Sequence, residues 1–256
     1  MRPHISFSEF KIWRECAYKH KLKYIDKVDS FVGNEFTAFG KAVHDVCEKV
    51  VLKQLKDSES DFFESRFFEE LSELKQNGVE LRPDLINSMR SQGKDLAPLA
   101  IPELHKKFGS YQVVSAEEDL YEVLDNHDIK FKGFIDLVIK TNDGRYHVID
   151  WKTCSWGWDS KKKSDTLLSY QLSLYKHFFA KKHNIDLDKI DTYFALLKRT
   201  AKSKKVEIFK VSNGKVKIKN CLKQVSNSVY NIQKKNFIKN RLSCDRCEFY
   251  KTEHCV

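Results

Sequence analysis

Long apolar runs are missing from this sequence of 256 residues. No stretch approaches the roughly 20 apolar residues that a membrane-spanning helix needs, so we expect no contact with a membrane. The opening residues, Met1 to Phe7, also lack the apolar segment and the small-residue cleavage site of a signal peptide. We therefore expect a cytoplasmic protein, whose 41% of apolar residues are enough to form a buried core.

Proline is scarce as well, and three of the four prolines lie between positions 83 and 102. The chain has no repeat and no low-complexity linker, which predicts a single domain over residues 1–256. Apolar residues at helical spacing precede the prolines, so we interpret residues 56–110 as a helical insertion in that domain.

Acidic residues are too few to balance the basic ones, and the formal net charge is +10. The excess is concentrated between positions 198 and 223, where Glu207 is the only acidic residue. Such a segment favours a polyanionic partner, because neutralising phosphates releases condensed counterions, although an ordinary solvated surface would look similar. The basic residues that we single out as DNA contacts are Lys198, Arg199, Lys202, Lys204 and Lys205.

Hydrophobic spacing divides the chain into helices, then strands, then a mixture of both. Helical periods continue to about residue 108, and runs of Val, Ile and aromatic residues between 111 and 151 predict an antiparallel meander. This order predicts an α/β fold in which helices and a sheet form layers. The remaining predicted elements are a helix over 165–183, a strand over 190–197, a hairpin of Val206–Val211 and Val216–Ile218 turning at Asn213-Gly214, and a helix over 219–238.

Two aspartates and a lysine lie in the predicted meander. Asp136 is near the middle of one strand, and Asp150 and Lys152 are at the end of the next. Because side chains alternate along a strand, Asp150 and Lys152 project to the same face, where Asp136 can join them. Two carboxylates beside an ammonium can hold Mg²⁺ or Mn²⁺ at a phosphodiester, while Lys152 orients water or stabilises charge. Taken alone, a D-x-K pattern is more often a buried ion pair.

Five short motifs follow one another along the chain. Each is weak alone, but in this order the sequence resembles the RecB-like branch of the PD-(D/E)xK nuclease superfamily. The motifs are an opening Ser6-Phe-Ser-Glu-Phe followed by Cys16, then Gly40-Lys-Ala-Val-His44, Gly133-Phe-Ile-Asp136, Asp150-Trp-Lys152 and Gln171-Leu-Ser-Leu-Tyr175.

The resemblance implies a restriction-endonuclease-like core, in which helices flank a mixed central sheet. It implies that His44, Asp136 and Asp150 bind Mg²⁺ or Mn²⁺. Gln171 and Tyr175 would face the catalytic Asp136, Asp150 and Lys152, and Tyr175 could meet a phosphate or a base. Without the resemblance, a packed histidine and a polar helix edge beside a core aromatic would be the simpler interpretations. Glu117 or Glu118 resembles a further acidic position of the family.

The seven cysteines are odd in number and widely spread, which favours reduced thiols or metal ligands over disulfides. Three of them, Cys244, Cys247 and Cys255, lie in a tail over residues 240–256. The resemblance implies that they join Cys16 around a [4Fe-4S] cluster, so that the tail packs with the N-terminal helix. Zn²⁺ is the alternative, because thiolates suit both kinds of centre.

The resemblance as a whole implies a metal-dependent DNA nuclease. We expect an exonuclease that acts on single-stranded or end-bearing DNA in recombination, repair or phage DNA processing. A nuclease of CRISPR adaptation has similar motifs, and a non-catalytic DNA-binding subunit would share the fold. An RNA-processing or structural metal-binding protein would have a similar basic surface. Helicase motifs are absent, so a helicase or recombination partner would be a separate chain.

Overall fold

The computed structural model of the protein describes residues 3–28 and 31–255, without the side chain of Arg246. Positions 1, 2, 29, 30 and 256 of the predicted 1–256 domain lie outside the described residues. Within the described residues, six strands form one sheet. They are β1 (His4–Ser6), β2 (Tyr111–Val123), β3 (Lys130–Thr141), β4 (Tyr146–Cys154), β5 (Ile190–Lys198) and β6 (Val206–Val211).

The sheet is mixed, as the predicted α/β class requires. β2, β3 and β4 form the antiparallel meander, and β6 is antiparallel to β5. β5 is parallel to β4, because the chain crosses back over the sheet through a long helix between them. The first strand of the meander, β2, is continuous from Tyr111 to Val123 and has an irregular register between Val113 and Ser115.

Helices cover both faces of the sheet. One core contains Phe131, Phe178 and Phe194, and the other contains Phe39 and Phe63. None of the helices in residues 3–28 and 31–255 is long and apolar enough to cross a membrane. The helices are α1 (Phe7–Glu15), α2 (Ala17–His20), α3 (Glu35–Val51), α4 (Glu59–Gln76), α5 (Pro83–Leu96), α6 (Ala100–Phe108), α7 (Ser160–Lys163), α8 (Thr166–His183) and α9 (Lys215–Gln233).

Local sequence explains where the two helices that matter most begin. The Asn34 side chain accepts hydrogen bonds from the backbone N–H groups of Phe36 and Thr37. The Thr37 hydroxyl in turn accepts from the backbone N–H of Asn34, and together these bonds form a capping box at the start of α3. Asp165 accepts from the backbone N–H of Leu168 and caps α8. The predicted helix over 165–183 is therefore confirmed with almost the same limits.

The predicted hairpin at Asn213-Gly214 is wrong beyond its first strand. Val216–Ile218 belongs to α9, which begins at Lys215 and ends at Gln233 instead of covering 219–238. Ile218, Cys221 and Val225 are buried at helical spacing, and Cys221 and Val225 belong to the core that contains residues of α8. This longer period outweighs the short Val-x-Ile alternation, because it buries a whole helix face.

Candidate active site

β3 has two different neighbours along one edge. β2 pairs with β3 along its length, so β1 and β4 share the opposite edge. The pairing with β1 covers residues 130–132 and that with β4 covers 137–140, which leaves residues 133–136 between them. Asp136 and Asp150 therefore lie next to the last paired residues, Leu137 and Ile149, where the two strands part.

Asp136 is held in this gap by contacts from two sides. Its Oδ2 accepts a hydrogen bond of 2.6 Å from the backbone N–H of Trp151 on β4. Nδ1 of His44, on α3, lies 3.7 Å from the same oxygen. The separation of β3 and β4 thus exposes a carboxylate to α3, whereas continued pairing would have enclosed it.

Asp150 lies deeper and is almost completely buried. Lys152 Nζ lies 2.5 Å from its Oδ2, and Gln171 Nε2 on α8 donates to its Oδ1 at 2.8 Å. Lys152 itself remains about a quarter exposed, with 28% of its side chain accessible. Asp150 therefore fixes an ammonium group that can still reach the solvent side of the strands.

A glycine allows α8 to approach the sheet at this point. A Cβ at Gly133 would lie 2.9 Å from a ring carbon of Tyr175, which is closer than carbon atoms normally pack. Tyr175 is buried, and its hydroxyl accepts a hydrogen bond of 3.1 Å from Gln171 Nε2. In this structure Tyr175 orients Gln171, and it is not exposed to a phosphate or a base.

His44, Glu117 and Asp136 form a compact group of donors. One ligand-type atom from each of the three lies within 4.8 Å of the other two. They line an open space of about 430 Å³, which we call the metal-donor cleft. Its lining residues are Gly40, Lys41, His44, Asp45, Glu48, Glu117 and Asp136.

The structure also separates the two neighbouring acids Glu117 and Glu118. Glu118 pairs with Lys182 and His183 at 2.7 and 2.8 Å, away from the cleft. Glu117 has a φ of +50°, a left-handed conformation that is uncommon for residues with a side chain. Its neighbours Ala116 and Glu118 pair with Leu137 and Ile135, so Glu117 lies opposite Asp136 in the register of β2 and β3. Strand alternation alone could not identify the correct acid of the two.

The electrostatics of the cleft follow from burial and from its own charges. Burial raises the pKa of Asp136 to about 6. Burial and the charge of Asp136 raise the pKa of Glu117 to about 7. Burial raises the pKa of Asp150 to about 6 despite the adjacent Lys152 ammonium. Burial and Lys152 lower the pKa of His44 to about 4, so its imidazole is neutral and able to bind a metal.

This donor set fits a hard divalent cation. Two carboxylates and a neutral imidazole around an open cleft suit Mg²⁺ or Mn²⁺, and a cation would offset the cost of ionising neighbouring acids. Of the predicted ligands, the structure brings His44 and Asp136 together. It adds Glu117 and places Asp150 behind them, with its two oxygens on Lys152 and Gln171.

The four predicted thiol ligands line a second, separate cavity. The backbone N–H of Asn240 donates to Cys16 Sγ at 3.3 Å, and Lys19 forms an ion pair of 2.9 Å with Glu248. These contacts hold the tail against the first helices. Thiols converging on one cavity are a donor set that fits an iron–sulfur or zinc centre. We call this the cysteine cavity, after Cys16, Cys244, Cys247 and Cys255, which all line it.

Two of the predicted DNA contacts are engaged within the protein. Lys198 is buried and lies 3.4 Å from Glu207. Arg199 donates to Gln92 of α5 and so connects the end of β5 to the helical insertion.

The other three lie in the loop between β5 and β6. Lys202 and Lys204 are exposed, and Lys205 lies 3.5 Å from Asp95. Together with Lys106 of α6 they line an open cleft of about 760 Å³. We call residues 202–205 the basic loop, and it presents positive charge to solvent.

The fold and the site define a class of protein: an α/β protein whose parted strands gather acids, an imidazole and a lysine in the manner of a hydrolytic nuclease. Sequence comparison names the family. Residues 4–252 match the family model described as the PD-(D/E)XK nuclease superfamily, and the chain belongs to that superfamily.

Solved structures share the fold. A protein from Eubacterium rectale that carries the provisional name exonuclease has a TM-score of 0.63 and 12% identity, over 98% of this chain and 89% of that one. The protein SSO0001 has a TM-score of 0.39 and 15% identity, over 83% of this chain and 92% of that one, which is too distant to support an argument. No curated protein matches the sequence.

Proposed function

We propose that the protein is a metal-dependent deoxyribonuclease. It acts as an exonuclease on single-stranded or end-bearing DNA, in recombination, repair or phage DNA processing. The observation that carries this proposal is the convergence of His44, Glu117 and Asp136 beside the Asp150–Lys152 pair. An ion pair that only stabilised a hairpin would not need three further donors on an open cleft.

Each residue of the site has its own role in the proposed hydrolysis. His44, Glu117 and Asp136 would hold a divalent ion, which would supply Lewis acidity for the phosphodiester and for a water molecule. Lys152 places a positive charge beside the cleft, where negative charge develops on the phosphoryl oxygens. Asp150 and Gln171 hold Lys152 in position. Overall, water adds to phosphorus, one phosphorus–oxygen bond breaks, and the leaving oxygen takes a proton.

Cleavage of end-labelled DNA tests the proposal directly. Single strands, duplexes and RNA of the same sequence are incubated with Mg²⁺, with Mn²⁺ or with EDTA. We expect divalent-dependent cleavage of DNA, and His44→Ala should raise the Mn²⁺ requirement by about tenfold or more. His105→Ala, at an exposed histidine of α6, is the matched control. Absence of cleavage with either ion would indicate a non-catalytic subunit, and preferential cleavage of RNA would indicate a different substrate.

We also propose that the cysteine cavity holds a [4Fe-4S] cluster, with Zn²⁺ as the alternative. The four thiols around one cavity support this, and a reducing cytoplasm would keep such thiols available. Protein purified without oxygen should contain iron and sulfide and should absorb at about 400 nm. Colourless protein with stoichiometric zinc would favour the alternative, and protein without either metal would contradict both.

A further inference from the structure

A large aromatic side chain near the active site is left in solvent. Trp156 lies two residues beyond the end of β4 and is 77% exposed. Trp158, two residues later, is 9% exposed and belongs to the core. Burial of an indole ring is strongly favourable. A solvent-exposed tryptophan two residues from a buried one therefore suggests that the exposed ring has a function.

The loop that carries Trp156 is anchored on both sides. Before it, the carbonyl oxygen of Ser155 accepts hydrogen bonds from the backbone and the hydroxyl of Thr200, at 2.9 and 2.8 Å. After it, Trp158 packs into the core. Gly157 between them has a φ of +126°, which residues with a side chain rarely adopt. The outward position of Trp156 is therefore fixed by its neighbours.

A guanidinium group contacts this loop and also a second aromatic ring. Arg199 donates to Ser155 Oγ at 3.3 Å, and its guanidinium carbon lies 5.5 Å from the centre of the Phe36 ring. Phe36 is itself 46% exposed. The combination of exposed rings and a cation is typical of surfaces on which nucleic acid bases stack.

This surface continues into the metal-donor cleft. α3 begins near Phe36, passes the end of β4 at Gly40 and reaches the cleft at His44. At Gly40, a Cβ would lie only 3.4 Å from Thr153 Oγ1, so helix and strand are in contact there. A strand lying along α3 and β4 would connect the metal donors with Trp156.

We propose that Trp156, with Phe36 and Arg199 beside it, is a stacking platform for the bases of the single strand that enters the active site. This proposal rests on the proposed nuclease function and names its preferred substrate, DNA whose bases are unpaired. In a duplex the bases already stack on one another, so they cannot reach the indole without opening. The platform therefore favours single strands over blunt duplexes.

Binding without cleavage provides the test. In EDTA, Trp156→Ala should raise the dissociation constant for oligo-dT by about tenfold and should hardly change that for a blunt duplex. Trp156→Phe should retain most of the affinity. Tyr230→Ala removes another exposed aromatic side chain, on α9, and should change neither.

An abasic oligonucleotide separates stacking from charge. It carries the same phosphates without bases, so the loss caused by Trp156→Ala should disappear on it. A loss that persists on the abasic strand, or that is equal on the duplex, would overturn the platform. Oligo-dT should also quench the indole fluorescence of the unmodified protein, which needs no variant, and the absence of quenching would overturn it too.

Failure of the platform can be distinguished from failure of the function. Cleavage of the same oligo-dT by the unmodified protein with Mg²⁺ or Mn²⁺ is measured in parallel. If that cleavage occurs and Trp156→Ala binds like the unmodified protein, only the platform is wrong. If no DNA is cut, the nuclease function on which the platform rests is wrong.

Discussion

The metal-donor cleft and the cysteine cavity place their donors by different means. The cleft takes its donors from α3, β2 and β3, and β2 and β3 are paired with each other in the sheet. The cavity takes donors from the two ends of the chain, and polar contacts such as Asn240 with Cys16 hold those ends together. A substitution in the metal-donor cleft should therefore reduce the cleavage rate more than the stability. A substitution in the cysteine cavity should reduce the stability more than the cleavage rate.

The largest effect is expected from Asp136→Asn. The amide keeps the size of the side chain and can still accept from the Trp151 N–H, but it removes a ligand charge. Cleavage should slow by about a thousandfold. The melting temperature should not fall, because a buried carboxylate is itself costly.

Asp119→Asn is the matched control, since Asp119 is exposed on the neighbouring strand β2. Rates and melting temperatures are measured for both variants. If Asp136→Asn lowered stability as much as activity, the cleft would be a structural feature and the contrast with the cavity would disappear.

The next effect is expected from Cys16→Ser in protein that carries the proposed metal centre. Loss of one ligand should open the link between the chain ends and lower the free energy of unfolding by about 3 kcal/mol. Cleavage by the folded fraction should be retained, because no donor of the cleft is altered. Cys154→Ser makes the same chemical change outside the cavity and should have a smaller effect. Denaturant unfolding of both variants checks this, and equal losses would contradict a shared centre.

Much of this organisation could be predicted from sequence because its signals are local. Alternation placed Asp150 and Lys152 on one face, and the structure joins them at 2.5 Å. The helical period placed Gln171 and Tyr175 on one side of α8, where they contact each other. These relationships need only the geometry of a single strand or a single helix.

The parts that escaped prediction depend on contacts between distant segments. β1 is only three residues long, and its pairing with β3 leaves the gap in which Asp136 sits. The left-handed conformation of Glu117 and the depth of Asp150 arise from packing that no short pattern encodes. Lys198 is buried beside Glu207, although its surroundings in the sequence are those of a solvated basic segment.

An ion pair that has no metal-donor residues beside it serves as a reference for the metal-donor cleft and the cysteine cavity. Glu35 is buried at the start of α3 and accepts from the backbone N–H and Nε of Arg82, at 2.8 and 3.1 Å. These hydrogen bonds lower its pKa from 4.5 to about 2. Because the folded pKa is below the unfolded one, its stabilisation is complete above about pH 4.5. It is lost as the pH falls towards 2.

Glu35→Gln should therefore lower the free energy of unfolding by about 2 kcal/mol at neutral pH. The difference from the unmodified protein should shrink below about pH 4.5, as measured by denaturant unfolding at several pH values. Glu103→Gln, in an exposed pair with Lys106, should have a much smaller effect. A difference that did not depend on pH would mean that the carboxylate charge is not what joins α3 to α5.

The smallest effect is expected from the basic loop, and it should appear in neither chemistry nor stability. Lys202→Glu with Lys204→Glu reverses two exposed charges, so DNA affinity should fall and the slope of log affinity against log salt should flatten by about two units.

Lys234→Glu with Lys235→Glu makes the same charge change after α9 and should leave the slope nearly unchanged. Cleavage at saturating DNA and the melting temperature should stay as in the unmodified protein, because neither Lys202 nor Lys204 lines the metal-donor cleft or the cysteine cavity. Fluorescence anisotropy at several salt concentrations measures the slope. An unaltered slope would mean that the loop is an ordinary solvated surface.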